Sequence, residues 1–415
     1  MKSTAATQRS VRRIKPVARA STSALETWRT NVGYQLGMVG FARFSNILRL
    51  WRFVLQIHPR FVLRAGLISV TSLAIAPLNW YERIRFGKRI ESEIIRESPV
   101  FIIGHWRSGT THLHNLMARD ERFATVSMFQ ALMPECSLVS RRWLAPIMAK
   151  IVPLKRPMDN MQWPMDAPQE EEIPLAKMYP YAFYTQFLFP KRTIEFFRRF
   201  VLLEGASQKL TAELKTVFKR LLKIASLHGD GKRLLLKNPV NTARIPLLLE
   251  LFPDAKFVYI HRCPHEVFRS TRSLHRKLHV FTALQPMETE AAQSTILELY
   301  ELLMHSYLKH RDLIPEGNLV EVRFDGLEAD PLGELERIYD RLSLASFAEA
   351  RDRVEQYVSS QRDYQKNQFS ASTEDMALVE QRWRFAFEAF GYGARSGIDE
   401  TKTARESGLT EASAS

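Results

Sequence analysis

Short apolar runs bounded by loop residues set the frame of this chain. Val100–Ile103, residues 234–236 and residues 256–260 read as buried strands, because a strand covered on both faces is apolar throughout and does not alternate. The first run is followed by GHWRSGTT and then by Leu113, Leu116 and Met117 at helical spacing. The second is followed by a predicted helix over 242–252, the turn Pro253-Asp254 and then the third run. A strand, loop and helix followed by a β-α-β unit predict an α/β fold: a P-loop-like parallel sheet flanked by helices.

Upstream the pattern changes. Val32, Leu36, Val39, Phe44, Ile47, Leu48, Trp51 and Leu55 recur at helical spacing among Arg43, Arg49 and Arg52. Residues 65–81 carry no charge, but they include Pro77 and Asn79 and fall short of the roughly 20 apolar residues that a bilayer span needs. An Arg-rich stretch over 84–90 is expected to end this region. Three readings stay open for such an extension: it lies on an anionic membrane surface, it forms a hydrophobic vestibule for an acceptor, or its helices pack on the main domain. Between the first helix and Lys232 the chain reads as mostly helical, punctuated by Pro153, Pro157, Pro164, Pro168 and Pro174, with one helical stretch predicted over 194–228. The expected organisation is a basic disordered tail at 1–25, an apolar and basic helical extension at 26–95, one domain at 96–395 and a disordered tail at 396–415.

Charge sharpens the division. Residues 1–90 hold sixteen Lys and Arg against two acids, Glu26 and Glu82, which accounts for the whole net charge of +14. The remainder is balanced, so the large domain has no basic surplus of the kind that nucleic-acid binding requires. Only Cys136 and Cys263 are present, and no apolar h-region follows the basic start. A cytoplasmic protein, free of disulfides and attached peripherally or monotopically to a membrane if the extension binds one, fits these features.

The candidate chemistry lies at the strand ends. Gly104 and Gly109 stand five apart, as in the phosphate-binding loop G-x-x-x-x-G-K-[ST], where backbone N–H groups close on an oxyanion at a helix start. The lysine of that loop is replaced by Thr110, and a cation, Arg107, sits within the loop instead. The expected ligand is therefore an anion other than a magnesium-bound triphosphate, with no metal site. In a parallel sheet Arg107, Lys237 and Arg262 all fall beyond the carboxyl ends of strands, where ligands bind.

Arg107-Ser108-Gly109-Thr110-Thr111 resembles, position by position, the 5′-phosphosulfate loop of sulfotransferases that use 3′-phosphoadenosine 5′-phosphosulfate (PAPS). A second part of the resemblance lies in FVYIHRCPHEVFRS, where Arg262 and Ser270 have the eight-residue separation of the family's pair on the 3′-phosphate. Lys237 stands as the family's strand-end lysine, and residues 320–342 look like its strand-and-helix ending. The resemblance spans roughly residues 98–392, nearest the bacterial-type branch that includes tyrosylprotein-like enzymes. It implies transfer of the sulfuryl group of PAPS to a hydroxyl of an organic acceptor without metal, and the apolar basic extension points to a hydrophobic one. Arg107, Ser108, Gly109, Thr110, Thr111, Arg262 and Ser270 would bind the donor, and Arg107 and Lys237 would be catalytic.

Neither base known in the family is in place: Pro239 occupies the position of a histidine, and Ser127 and Met128 lie where a glutamate would stand. The segment at 362–367 matches the family's closing segment only loosely. The acidic loop DAPQEEEIPL offers Glu170 or Glu171 as a base carried on a mobile loop, with His112 and His114 as rivals. The competing functions are a P-loop-type small-molecule kinase and a membrane-attached nucleotide-binding protein without activity.

Overall fold

The computed structural model describes residues 38–54, 56–152, 164–361 and 372–393. The expectations for the two tails, for Val32, Leu36, Leu55, Pro153 and Pro157, and for 362–367 lie outside these residues.

Five parallel strands form one sheet in the order β2-β3-β1-β4-β5: β1 is Val100–Ile103, β2 Phe123–Ala124, β3 Arg233–Lys237, β4 Lys256–His261 and β5 Leu319–Arg323. The three predicted strands are therefore parallel neighbours. Ile102 stands opposite Lys237 on one side and Val258 on the other, so the carboxyl ends of β1, β3 and β4 finish side by side. The chain runs from β1 to the edge strand β2, returns to β3 between them and then crosses to β4 and β5, which opens a crevice beyond β1 and β4.

The period-two alternation of each strand feeds two cores. Phe101, Ile103, Leu234, Leu236, Phe257 and Tyr259 face one layer, packed with Phe183, Leu222, Tyr300 and Trp383. Val100, Ile102, Leu235, Val258 and Ile260 face the other, packed with Leu113, Leu116, Leu335 and Ile338. This double coverage explains why the strands read as continuous apolar runs.

Several expectations need correction. The stretch over 194–228 is two helices, Thr193–Phe200 and Gln208–His228. Leu203 (φ 60°) and Gly205 (φ 66°) take left-handed backbone at the break, and Ser207 caps the second helix by accepting from Leu210 N at 3.3 Å. The helix predicted over 242–252 forms as a 3-10 turn, Pro239–Ala243, followed by Ile245–Leu251.

The early helix Phe44–Phe53 packs on the domain. Ile47 and Leu50 are buried, Asn46 donates to Met178 O at 2.6 Å, and Arg43 and Arg49 pair with Glu135 and Glu213. Two of the three cations expected to face a membrane, Arg43 and Arg49, are engaged by protein carboxylates. The uncharged stretch 65–81 and the Arg-rich stretch 84–90 belong to one 31-residue helix, Val62–Ser92, in which Pro77 is accommodated and which ends just after the arginines.

Candidate active site

The loop between β1 and the helix Thr110–Met117 is held by two glycines that no other residue could replace. A Cβ on Gly104 (φ 142°) would sit 2.2 Å from Ile260 O, and one on Gly109 (φ 101°) would sit 2.2 Å from the Phe324 ring. Arg107 is itself left-handed, with φ 71°. Left-handed positions in a short loop turn successive N–H groups to one side and make an anion nest, while the first turn of the following helix adds N–H donors without internal partners. Thr110 and Thr111 open that helix.

Not every loop residue faces a ligand. The Ser108 hydroxyl lies 2.7 Å from His105 O and 3.0 Å from Ile260 O, and its N–H donates to His105 O at 3.2 Å. The Ser108 side chain therefore braces the loop against β4. Gly104 N–H likewise donates to Thr242 Oγ1 at 2.7 Å.

Arg107 and Ser270, 163 residues apart, meet directly: Nε donates to Ser270 Oγ at 2.8 Å. Ser270 lies on the helix Pro264–Thr282 that leaves the end of β4, and it is buried. Arg262 does not bond Ser270 here. Its guanidinium lies 4.4 Å from the centre of the Phe324 ring and pairs with Glu266, so Phe324 lies against both Gly109 and Arg262. The sequence gives no hint of that wedge.

A continuous polar chain runs from the cradle to the acidic segment. Trp106 Nε1 donates to the Tyr184 hydroxyl at 2.8 Å, Tyr184 donates to Glu170, Glu170 pairs with Lys237 Nζ, and Nζ lies 3.3 Å from Thr111 Oγ1. The Lys237 side chain is 3% exposed and that of Glu170 16%. Glu170 is thus a partly accessible carboxylate at a strand end. Trp106 and Tyr184 were missed because only the fold brings them together.

The acidic segment is neither solvated nor a mobile lid. Gln169 N bonds Val126 O at 2.7 Å, Met128 N bonds Ala167 O at 2.9 Å, and Pro168 pairs with Ser127 in an antiparallel bridge. Glu172 begins the helix Glu172–Met178 and is fully buried, forked on Arg244 at 2.6 and 3.2 Å and accepting from Asn238 Nδ2 at 2.8 Å and Phe183 N at 2.7 Å. Glu171 is also fully buried, with Asn241 Nδ2 2.6 Å from its Oε1. Burial, and next the neighbouring Glu172, push its carboxyl up to about 8. A carboxyl that holds its proton at neutral pH and touches no open space cannot take one from an acceptor, so Glu171 is corrected from candidate base to buried support.

Two histidines beside the cradle, His105 and His114, are held neutral by burial. His114, pushed down to about 3 by burial and then by Lys237, packs at 1% exposure on the cradle helix, and His105 falls to about 4 with Nδ1 2.7 Å from Trp106 O.

Glu171 also makes a testable pH signature. Its folded-state value lies above the ordinary 4.5, so below pH 4.5 both states are protonated and the fold bears no charge penalty. From there to about pH 8 the unfolded chain loses the proton first, and stability falls by up to about 1.4 kcal/mol per pH unit. Glu171→Gln keeps the Asn241 bond and removes the titration, so its Tm should exceed that of the parent by a margin that widens from pH 5 to 8. Parallel Tm curves would show that the carboxyl is not held neutral.

Residues 99–349 match the model of the Sulfotransferase family. The chain is 31% identical over 372 residues to omega-hydroxy-beta-dihydromenaquinone-9 sulfotransferase Stf3 of Mycobacterium bovis, an alignment covering 90% of this chain and 95% of that protein. The Mycobacterium tuberculosis protein of the same name matches with the same figures. In three dimensions the chain is similar to sulfotransferase STF9 from Mycobacterium avium, with TM-score 0.64 and 17% identity over 90% of this chain and 98% of that one. It is also similar to sulfotransferase STF1 from Mycobacterium tuberculosis, with TM-score 0.56 and 17% identity over 88% and 98%.

Proposed function

Because this chain belongs to the sulfotransferase family, we propose that it moves the sulfuryl group of PAPS to a hydroxyl of a hydrophobic acceptor in the cytoplasm, with Glu170 as the base. The chain is a sulfotransferase, using a sulfuryl donor and a hydroxylated acceptor. The hydrophobic character of the acceptor rests on the Mycobacterium bovis relative, whose name specifies an omega-hydroxy-dihydromenaquinone. The observation that carries the site assignment is the direct bond between the loop arginine Arg107 and Ser270 on the β4 helix, with Lys237 beside Thr111 in the same crevice. It gathers cations and hydroxyls from three strand ends, as a ligand bearing anions at both 5′ and 3′ positions requires.

In the reaction we propose, the acceptor oxygen attacks sulfur in line, a new O–S bond forms, and the S–O bond to the 5′-phosphate breaks. Glu170 takes the hydroxyl proton, and adenosine 3′,5′-bisphosphate leaves with the bond's electrons. Arg107 and the helix N–H groups stabilise charge on the sulfuryl oxygens. Lys237, shared between Glu170 and the leaving phosphate, exchanges the carboxylate for the phosphate and so releases Glu170 to act. Tyr184, itself fixed by Trp106, aims the carboxylate.

Arg262 would exchange Glu266 for the 3′-phosphate. Charge-assisted hydrogen bonds of this kind are worth about 1.5–3 kcal/mol. Arg262→Ala should therefore weaken adenosine 3′,5′-bisphosphate by about tenfold or more and barely alter adenosine 5′-phosphate, read as ligand-induced shifts in Tm. Equal losses for the two ligands remove the assignment, and stabilisation of the parent by ATP with magnesium but not by the bisphosphate favours the kinase alternative.

A further inference from the structure

We propose that the outer face of the helix Val62–Ser92 docks on an anionic lipid bilayer with the helix lying in the plane of the membrane. One face of this helix is committed to the protein from end to end: Ala65, Ile68, Ser72, Glu82, Gly87 and Ile90 are buried. Glu82 accepts from Leu138 N at 2.8 Å and Val139 N at 3.2 Å, tying the helix to the start of Ser137–Ile151. Ile75 and Leu78 pack on the cluster containing Met148 and Val152 at the other end of that helix. A helix anchored in this way along its length, with a carboxylate on the anchoring face, lies along the domain and does not cross a bilayer beside it.

The opposite face inverts the usual rule that the outer stripe of a packed helix is polar. From position 62 to 81 every exposed residue is uncharged and all but Gly66 carry apolar or aromatic side chains: Val62, Leu63, Val70, Leu73, Ala74, Pro77, Trp80 and Tyr81. Leu63 is 89% exposed, Val70 64% and Trp80 65%. At about 1.5 Å per residue the stripe from 62 to 81 runs for about 30 Å, far longer than the scattered apolar contacts of an ordinary surface.

The charges around the stripe choose the occupant. Arg60 and Arg64 stand at its start, and Arg83, Arg85, Lys88 and Arg89 at its end. Between Arg60 and Glu91 the only acid is Glu82, which is buried. Exposed cations without exposed acids, Trp80 and Tyr81 at the basic end, and an apolar stripe between are what an interfacial helix presents to an acidic headgroup layer. The neighbouring helix Ser137–Ile151 adds exposed Trp143 and Ile147. Arg64 Nη1 donates to Ala283 O at 2.7 Å, just past the end of the helix that carries Ser270, so the docking face is coupled rigidly to the donor side of the enzyme. The inference stands on this helix and does not depend on which acceptor is sulfated.

Deleting the first ninety residues would not test this, since Ile47, Leu50, Ile68 and Ile90 belong to the main core. The test is flotation of the full chain with phosphatidylcholine vesicles with and without phosphatidylglycerol. The parent should float with the anionic vesicles, less so at high salt. Leu73→Glu combined with Trp80→Glu should weaken vesicle binding by at least about tenfold and leave Tm and the sulfation of a short-chain soluble acceptor unchanged. Arg83→Glu with Arg85→Glu should abolish the preference for anionic lipid. Unchanged flotation of either variant overturns the proposal. So does a parent that ignores vesicles and forms a dimer which the Leu73→Glu and Trp80→Glu pair dissolves, because a second copy of the chain then covers the stripe.

Discussion

Glu170→Gln should lower kcat by about 10²–10⁴-fold, the range expected when a positioned general base is removed, with the Kd for adenosine 3′,5′-bisphosphate changing far less. The amide keeps the shape and an acceptor oxygen for the Tyr184 hydroxyl, but it has no capacity to take a proton. Its stability cost must be separated from its kinetic effect, because Lys237 is buried and loses its anionic partner. Breaking a fully buried pair costs about 3–5 kcal/mol, and the partial exposure of Glu170 places this case below that range. Glu172→Gln is the internal control: it disturbs a fully buried fork with Arg244 that does not reach the cradle, so it should lower Tm more and kcat much less than Glu170→Gln. Tyr184→Phe removes the aiming bond and keeps the base, so it should reduce kcat modestly and leave the pH dependence of kcat in place. If Glu170→Gln turns over at the parent rate, the base lies elsewhere.

The parts of this site legible in the sequence are those whose geometry is local. A strand, a glycine-bounded loop and a helix in immediate succession fix where Arg107 stands, and the same logic places Lys237 and Arg262 at neighbouring strand ends. What was not legible depends on contacts between distant segments. The family resemblance pairs Ser270 with Arg262, and the structure joins it to Arg107 across the crevice. Three consecutive glutamates look equivalent in sequence, and the fold gives them three environments: Glu170 at the open end of β3, Glu171 neutral beside Asn241, Glu172 ionically locked on Arg244. The uncharged stretch 65–81 looks too short in sequence for a long element, and the structure makes it part of the helix Val62–Ser92. Pro77 sits in the outer stripe, and the arginines project from a helix whose other face is already fixed by packing.

Arg107→Ala should lower kcat by about 10²-fold or more, the scale of losing one preorganised charge stabiliser, with the affinity for PAPS less affected. The reason lies in how the side chain is held. Its backbone is left-handed at φ 71°, a conformation that a non-glycine residue keeps only when the surrounding loop enforces it, and its Nε is used by Ser270 at 2.8 Å. The Ser270 bond therefore fixes the plane of the guanidinium while charge remains for the sulfuryl oxygens. Two consequences separate this from a general loss of positive charge. Arg107→Lys retains the charge but loses the fork and the Nε bond, and it should recover only a small part of the lost rate. Ser270→Ala should cost less than Arg107→Ala, and the double variant should be no slower than Arg107→Ala alone, because the serine acts through a guanidinium that is no longer present. A radiolabelled sulfate-transfer assay on the four proteins decides the matter: unchanged turnover in Arg107→Ala removes its catalytic role, and strictly additive losses show that Ser270 works independently of it.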